Sequence, residues 1–136
     1  MAMFFIDANN FKEVNDTFGH AVGDALLVAI ARTLKRSKRP TDLVCRKGGD
    51  EFVLFFDQVH EDGARIVAER IRKAVAAIRL KRAPDLRASV SIGVVVGVPP
   101  ADLNWKYLIA LADAAMYEAK ALRGTDQPTI CIRPIT

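Results

Sequence analysis

The sequence predicts a mixed α/β (α+β) domain: a single, largely antiparallel five-stranded sheet with helices on both faces, in the order βααββαβαβ. Three observations predict it. Short β-rich apolar runs alternate along the chain with stretches whose apolar residues recur at helical spacing. Two of those runs flank Gly48-Gly49, a pair that reads as a hairpin turn because glycine takes positive φ without a Cβ penalty. A hairpin at the centre of an otherwise strand–helix–strand order makes the sheet mixed. The length of 136 residues, 51% of them hydrophobic, is enough for one domain with a real core.

Phe4-Phe5-Ile6 reads as a first, buried strand ending at Asp7, and a short helical segment follows over residues 10–18. Gly19 and Gly23 bracket the start of a longer helix, in which Val22, Leu26, Ile30 and Leu34 recur every four residues as one apolar stripe. Lys35 to Arg39 place positive charge at its C-terminal end, where the helix dipole favours it, and Pro40 stops it. The hairpin spans 43–47 and 51–57. A helix over 61–80 turns Val67, Ile71, Val75 and Ile78 inward. The β-branched run 87–97 reads as a central strand, broken by Pro99-Pro100. Leu108, Ala112, Ala115 and Ala119 mark a last helix over 104–122, and Ile130-Cys131-Ile132 closes the sheet as an edge strand.

Composition bounds the function classes. No apolar run approaches the ~20 residues of a membrane helix, and the opening Met1–Ile6 lacks the basic leader of a secretion signal. Cys45 and Cys131 lie far apart, each in an apolar run, and read as two buried thiols without zinc spacing. The net charge of +4, from 20 basic and 16 acidic residues, suits a phosphate-bearing ligand. The missing targeting signals point to a cytoplasmic domain, though the parent protein could be membrane-anchored; no nucleic-acid partner is expected.

The chemistry-bearing residues cluster at predicted strand ends. Asp7 ends the first strand, and Asp50 and Glu51 follow the Gly48-Gly49 turn. Taken singly, Asp7 reads as a strand-end cap and Asp50 as a turn residue. On neighbouring strands, the two carboxylates with a backbone carbonyl form a common magnesium site for phosphoryl chemistry.

The stretch Gly48-Gly49-Asp50-Glu51-Phe52 resembles the signature of GGDEF domains, the diguanylate cyclases, and the likeness covers nearly the whole chain. Asp7-Ala8-Asn9-Asn10-Phe11-Lys12-Glu13-Val14-Asn15-Asp16 is similar to the family's Asp-x-Asp-x-Phe-Lys-x-x-Asn-Asp stretch. Gly19-His20-Ala21-Val22-Gly23-Asp24 is similar to its Gly-His-x-x-Gly-Asp element, Ser91-Ile92-Gly93 to its Ser-Ile-Gly strand, and Ala112–Lys120 to its last helix.

The resemblance implies a nucleotide-cyclase, palm-like fold that condenses two GTP molecules into cyclic di-GMP and pyrophosphate. It implies a homodimer, since one site holds half the reaction. Asp7 and Asp50 would hold Mg²⁺ (or Mn²⁺) through side chains and Ala8 through its carbonyl, with Gly48, Gly49 and Glu51 completing the catalytic turn. Asn15 and Asp24 would read guanine, whose N1–H and N2–H₂ donors suit such oxygens; as alternatives they cap helices. Asn10, Phe11 and Lys12 would lay backbone N–H groups against the terminal phosphates, and Lys120 and Arg123 would add positive charge to the triphosphate. Arg39-Pro40-Thr41-Asp42, upstream of Gly48, is similar to the family's Arg-x-x-Asp inhibitory site for product, with Arg70 as a further arginine.

Three departures stand out. Asn9 occupies the place of the family's second Asp, which removes one charge near the metal. Arg123-Gly124 reverses the family's Gly-Arg order, and one residue on a helix turns a side chain by ~100°. The family's preceding helix is absent, so the chain is expected to be an N-terminally truncated GGDEF domain over 1–136 of a larger protein carrying a sensor or phosphodiesterase domain. These departures leave an alternative: a weak or inactive domain that binds GTP or cyclic di-GMP and regulates an attached domain.

Overall fold

The computed structural model describes residues 1–135. Nine elements follow the predicted order: β1 (Ala2–Ala8), α1 (Phe11–Phe18), α2 (His20–Ser37), β2 (Leu43–Gly48), β3 (Glu51–Phe56), α3 (Glu61–Ala76), β4 (Val90–Val96), α4 (Trp105–Lys120) and β5 (Ile130–Pro134). The strands form one sheet in the order β2-β3-β1-β4-β5. β1 pairs antiparallel with both β3 and β4, β2 antiparallel with β3, and β4 parallel with β5. The sheet is therefore mixed and largely antiparallel.

Period-two alternation divides the side chains of β1 between two cores. Phe4, Ile6 and Ala8 join Leu26, Ile30, Leu34, Ile71 and Val75 on the α2/α3 face. Met3 and Phe5 join Leu108, Ala112 and Met116 beneath α4 on the other. Both the Val22–Leu34 stripe and the Leu108–Ala119 stripe are buried as predicted.

Three expectations are corrected. The third helix ends at Ala76 rather than 80; Ala77 and Ile78 close it with backbone bonds to Lys73 and Val75, and Ile78 packs against the core from the following turn. The strand read as 87–97 begins at Val90, and it is flanked by β1 and β5, while β1 takes the central place. Cys131 is buried, but Cys45 is exposed, because β2 is the edge strand and its burial pattern is open almost throughout. No described helix is long and apolar enough to cross a membrane.

Candidate active site

Register brings the acidic residues together. Asp7 stands opposite Glu51 on β3 and opposite Ser91 on β4. By alternation it shares the α4 face with Met3 and Phe5, at the end of the strand where that apolar surface stops. The β2–β3 hairpin turns through Gly49, which sits at φ 50°, a conformation that costs glycine nothing. The turn folds back on itself through Arg46, whose Nε donates to the Gly49 carbonyl at 2.8 Å. Asp50 then lies against β1, its backbone carbonyl accepting from Ala8 N at 3.2 Å.

The electrostatics record this convergence. Asp7 is 5% exposed, and its pKa is pushed up to about 6, first by burial; a hydrogen bond from Lys120 opposes the rise, and hydrogen bonding and charge from Asp50 add to it. Lys120 Nζ forms an ion pair with Asp7 Oδ2. Asp7 Oδ1 is buried with no hydrogen-bond partner. A buried carboxylate oxygen without a donor is costly, and a cation is the partner that would relieve both it and the Asp7–Asp50 repulsion. The residues present therefore fit a hard divalent cation. Among the described residues no group of three or more His, Cys, Asp or Glu side chains gathers for a metal.

Asn9 is committed elsewhere. It is buried, accepts from Ser91 Oγ at 2.6 Å, donates to Ser89 Oγ at 3.0 Å, and its N–H bonds the Ser89 carbonyl at 2.9 Å. An amide serves this position because it accepts and donates at once, which an ionised aspartate cannot do. The network fixes the exit of β1 just before the turn. The sequence placed Ser91 only in a motif and left Ser89 unremarked; the signal for their role was the Ser-Val-Ser alternation, which puts both hydroxyls on one face.

The β1–α1 turn is set by Asn10, in the left-handed conformation at φ 56°, which asparagine tolerates better than most residues. Phe11 packs partly against the core, and Lys12 is exposed. Arg123 Nη1 reaches Asn10 Oδ1 at 3.4 Å, so the last turn after α4 lies beside the same loop.

Asn15 of α1 lies against Gly23 of α2, the residue before Asp24. A Cβ on Gly23 would fall on Asn15 Oδ1 and lie 3.0 Å from Asn15 Cγ and 3.3 Å from Phe11 Cζ, so Gly23 is the seat of the Asn15 amide. Asn15 Oδ1 is a second buried oxygen without a donor. Asp24, exposed next to it, opens a groove of about 520 Å³ between α2 and β2, lined by Leu27, Val28, Ala31 and Phe52. Neither Asn15 nor Asp24 stands at a helix cap.

The Arg39–Asp42 pair forms a separate cluster at the other end of α2. Asp42 is 1% exposed. Burial alone would raise its pKa; hydrogen bonds from the Arg39 side chain and backbone outweigh burial and hold it below the usual carboxylate range. Its oxygens accept from Arg39 N and Nε at 2.9 Å, Arg39 Nη2 at 3.1 Å and Asp57 N at 3.3 Å. Four donors fill a carboxylate's acceptor sites, so Asp42 holds the turn into β2 to the end of β3. The Arg39 side chain remains half exposed. Arg70 donates to the Ser37 carbonyl at 3.2 Å, two residues before Arg39.

Comparison with known proteins gives one result throughout. A family described as "Diguanylate cyclase, GGDEF domain" matches residues 1–126. Diguanylate cyclase DosC of Escherichia coli K12 is 38% identical over 124 residues, covering 88% of this chain and 26% of its own length. The bifunctional diguanylate cyclase/cyclic di-GMP phosphodiesterase MucR of Pseudomonas aeruginosa is 38% identical over 120 residues, covering 88% of this chain and 17% of its own. The chain thus spans about a quarter or less of these relatives. A crystal structure of the coiled coil and GGDEF domain of DgcB from Caulobacter crescentus, in complex with c-di-GMP, superimposes with a TM-score of 0.83 at 26% identity, over 96% of this chain and 68% of that one.

Proposed function

The chain belongs to the diguanylate cyclase GGDEF domain family, and on that premise we propose that it joins two GTP molecules into cyclic di-GMP with release of pyrophosphate. The observation that carries this reading is the convergence of Asp7 and Asp50 beside an unpartnered, buried Asp7 oxygen. Magnesium or manganese bound between these carboxylates and the Ala8 carbonyl would lower the pKa of a ribose 3′-hydroxyl and neutralise charge on the α-phosphate.

The chain's own residues supply the rest. Asn15 Oδ1 and the exposed Asp24 carboxylate accept from the guanine N1–H and N2–H₂, and this satisfies the orphaned amide oxygen at the α1–α2 seam. The β1–α1 turn offers the backbone N–H groups of Phe11 and Lys12 to the terminal phosphates. Arg123, already beside Asn10, and Lys120 add positive charge there. Glu51, opposite Asp7, lies within reach to take the 3′-hydroxyl proton. Gly48 and Gly49 let the ribose approach the hairpin, since nothing lies within 4 Å of where either Cβ would be. One such site carries one nucleotide, so two subunits face each other for the double attack of 3′-oxygen on α-phosphate. GTP and this use of it place the domain in the cytoplasm, attached in the full protein to a sensor or phosphodiesterase domain, as MucR's description pairs the two activities.

The test is to incubate the full-length, dimer-competent protein with GTP and magnesium and to separate the products by chromatography. Cyclic di-GMP is the expected product; GTP bound without turnover would instead identify a regulatory binding module.

Gly23→Ala tests the guanine seat. The substitution raises helix propensity by about 1 kcal/mol but puts a methyl where Asn15 Oδ1 lies. The expected result is an unchanged or slightly higher Tm with GTP affinity about tenfold weaker, the loss of roughly one hydrogen bond. Unaltered affinity by calorimetry would remove Asn15 from the guanine site.

Product inhibition is proposed for the second cluster, with the exposed guanidinium groups of Arg39 and Arg70 binding cyclic di-GMP phosphate and guanine. Because Asp42 is saturated by internal donors, Arg39 carries this role and Asp42 orients it until ligand arrives. Arg39→Ala should lower cyclic di-GMP affinity at least about tenfold in calorimetry, the scale of a charge-assisted bond; equal affinity discards the site.

A further inference from the structure

We propose that Lys120 is an internal occupant of the cation site: its ammonium holds the Asp7 carboxylate until a triphosphate draws it away, so that divalent cation and nucleotide bind jointly rather than in turn. This rests on Asp7 being a cation ligand, as proposed above.

Position and packing carry the inference. Lys120 is the last residue of α4 and falls four residues after Met116, in the series Leu108, Ala112, Met116. Those three are fully buried against the sheet, so Lys120 extends a buried stripe beyond the end of the core. The stripe is held fast, because α4 lies directly on Gly93 of β4, where a Cβ would meet the backbone of Met116, Ala112 and Ala115. The Lys120 stem is thereby aimed along the sheet toward the end of β1. Its side chain is 25% exposed and that of Asp7 is 7% exposed. Its ammonium lies 5.5 Å from the Tyr117 ring centroid and on Asp7 Oδ2, while Asp7 Oδ1 stays without a partner. The carboxylate is therefore half used by an internal cation and half reserved.

A divalent cation arriving alone meets this positive charge a few ångströms away. At about 5 Å and near-aqueous screening, the repulsion weakens its binding by roughly tenfold. A triphosphate changes the balance. It offers the ammonium several anionic oxygens in place of one, and the lysine has three donors to give them. Moving Lys120 from Asp7 to phosphate frees Oδ2 at the moment the cation gains phosphate ligands.

The experiment measures Mn²⁺ binding to the full-length protein without nucleotide, by electron paramagnetic resonance of free Mn²⁺, for wild type, Lys120→Met, Lys120→Arg and Asp7→Asn. Lys120→Met, which keeps the stem and removes the charge, should bind Mn²⁺ about tenfold more tightly and bind metal-free GTP more weakly. Lys120→Arg should stay near wild type in Mn²⁺ affinity. Mn²⁺ affinity of Lys120→Met equal to or below wild type, with Asp7→Asn still abolishing binding, overturns the proposal and leaves the cation site standing. Mn²⁺ binding indifferent to Asp7→Asn removes the cation site and the proposal with it.

Discussion

Asp50→Ala is expected to abolish cyclic di-GMP formation while leaving the fold in place. The contact by which Asp50 ties the hairpin to β1 is made by its backbone carbonyl, which accepts from Ala8 N at 3.2 Å and survives truncation of the side chain. The side chain sits at a half-buried turn beyond both cores, so its removal leaves no cavity. What it takes away is one member of the Asp7–Asp50 carboxylate pair. With one carboxylate left, the pair no longer concentrates negative charge for a cation, and the 3′-hydroxyl and α-phosphate lose their electrostatic support. Losses of that kind cost at least about a thousandfold in kcat. The expected pattern is a Tm within about 1 °C of wild type, on the scale of a surface change, GTP binding through Asn15 and Asp24 retained in part, and no product by chromatography. Turnover within tenfold of wild type would refute the assignment of Asp50 and, with it, the two-carboxylate mechanism.

Gly93→Ala is expected to be the most damaging single methyl in the domain. Gly93 lies in β4 between Phe5 of β1 and Cys131 of β5, on the face covered by α4. A Cβ there would meet Met116 N, Ala112 O and, at 2.7 Å, Ala115 C, all backbone atoms of one helix. Backbone cannot swing aside as a side chain can, so the helix must lift off the sheet along its length. Lifting it unpacks Leu108, Ala112 and Met116 from Met3, Phe5 and Val95. Overpacking of this kind costs about 3 kcal/mol or more, a Tm loss of roughly 10 °C for a domain of this size. The same displacement moves Lys120 from Asp7 and Arg123 from Asn10, so GTP affinity should fall in whatever fraction remains folded. Gly63→Ala is the control: its Cβ would meet only Val59 Cγ2, at 2.9 Å, the end of a side chain that can move. Thermal unfolding of the two variants decides the matter, and a Gly93→Ala Tm within about 2 °C of wild type would show that α4 is not seated as described.

The elements were legible where periodicity was long. The Val22–Leu34 stripe and the Leu108–Ala119 stripe gave two helices and their buried faces, because a helix that must cover a sheet repeats its apolar residues every three or four positions. Ends were less legible. Residues 77–80 keep helical composition, yet α3 stops at Ala76, and Ile78 and Leu80 pack against the core from outside the helix. Cys45 looked buried from its apolar neighbours, but exposure there depends on β2 being an edge, which pairing order alone decides. At the candidate site, the sequence named Asp7, Asp50, Asn15 and Asp24 through motif spacing. It left unread that Asn9 bonds Ser89 and Ser91, that Gly23 seats Asn15, and that Asp42 is filled by Arg39 and Asp57, since each depends on contacts between residues distant in the chain or on neighbouring elements.

By itself the sequence determined the family, the order of the elements, and which carboxylates and amides stand at strand ends and helix starts, because these follow from spacing along a single chain. Only the tertiary structure decided which of those groups touch. The antiparallel register of β1 against β3 set Asp7 across from Glu51 and Asp50 beside Ala8, and the close seating of α4 on Gly93 carried Lys120 onto Asp7. Both are long-range pairings, fixed by packing two faces of one sheet, and so the charge balance of the site is a property of the folded sheet rather than of any motif within it.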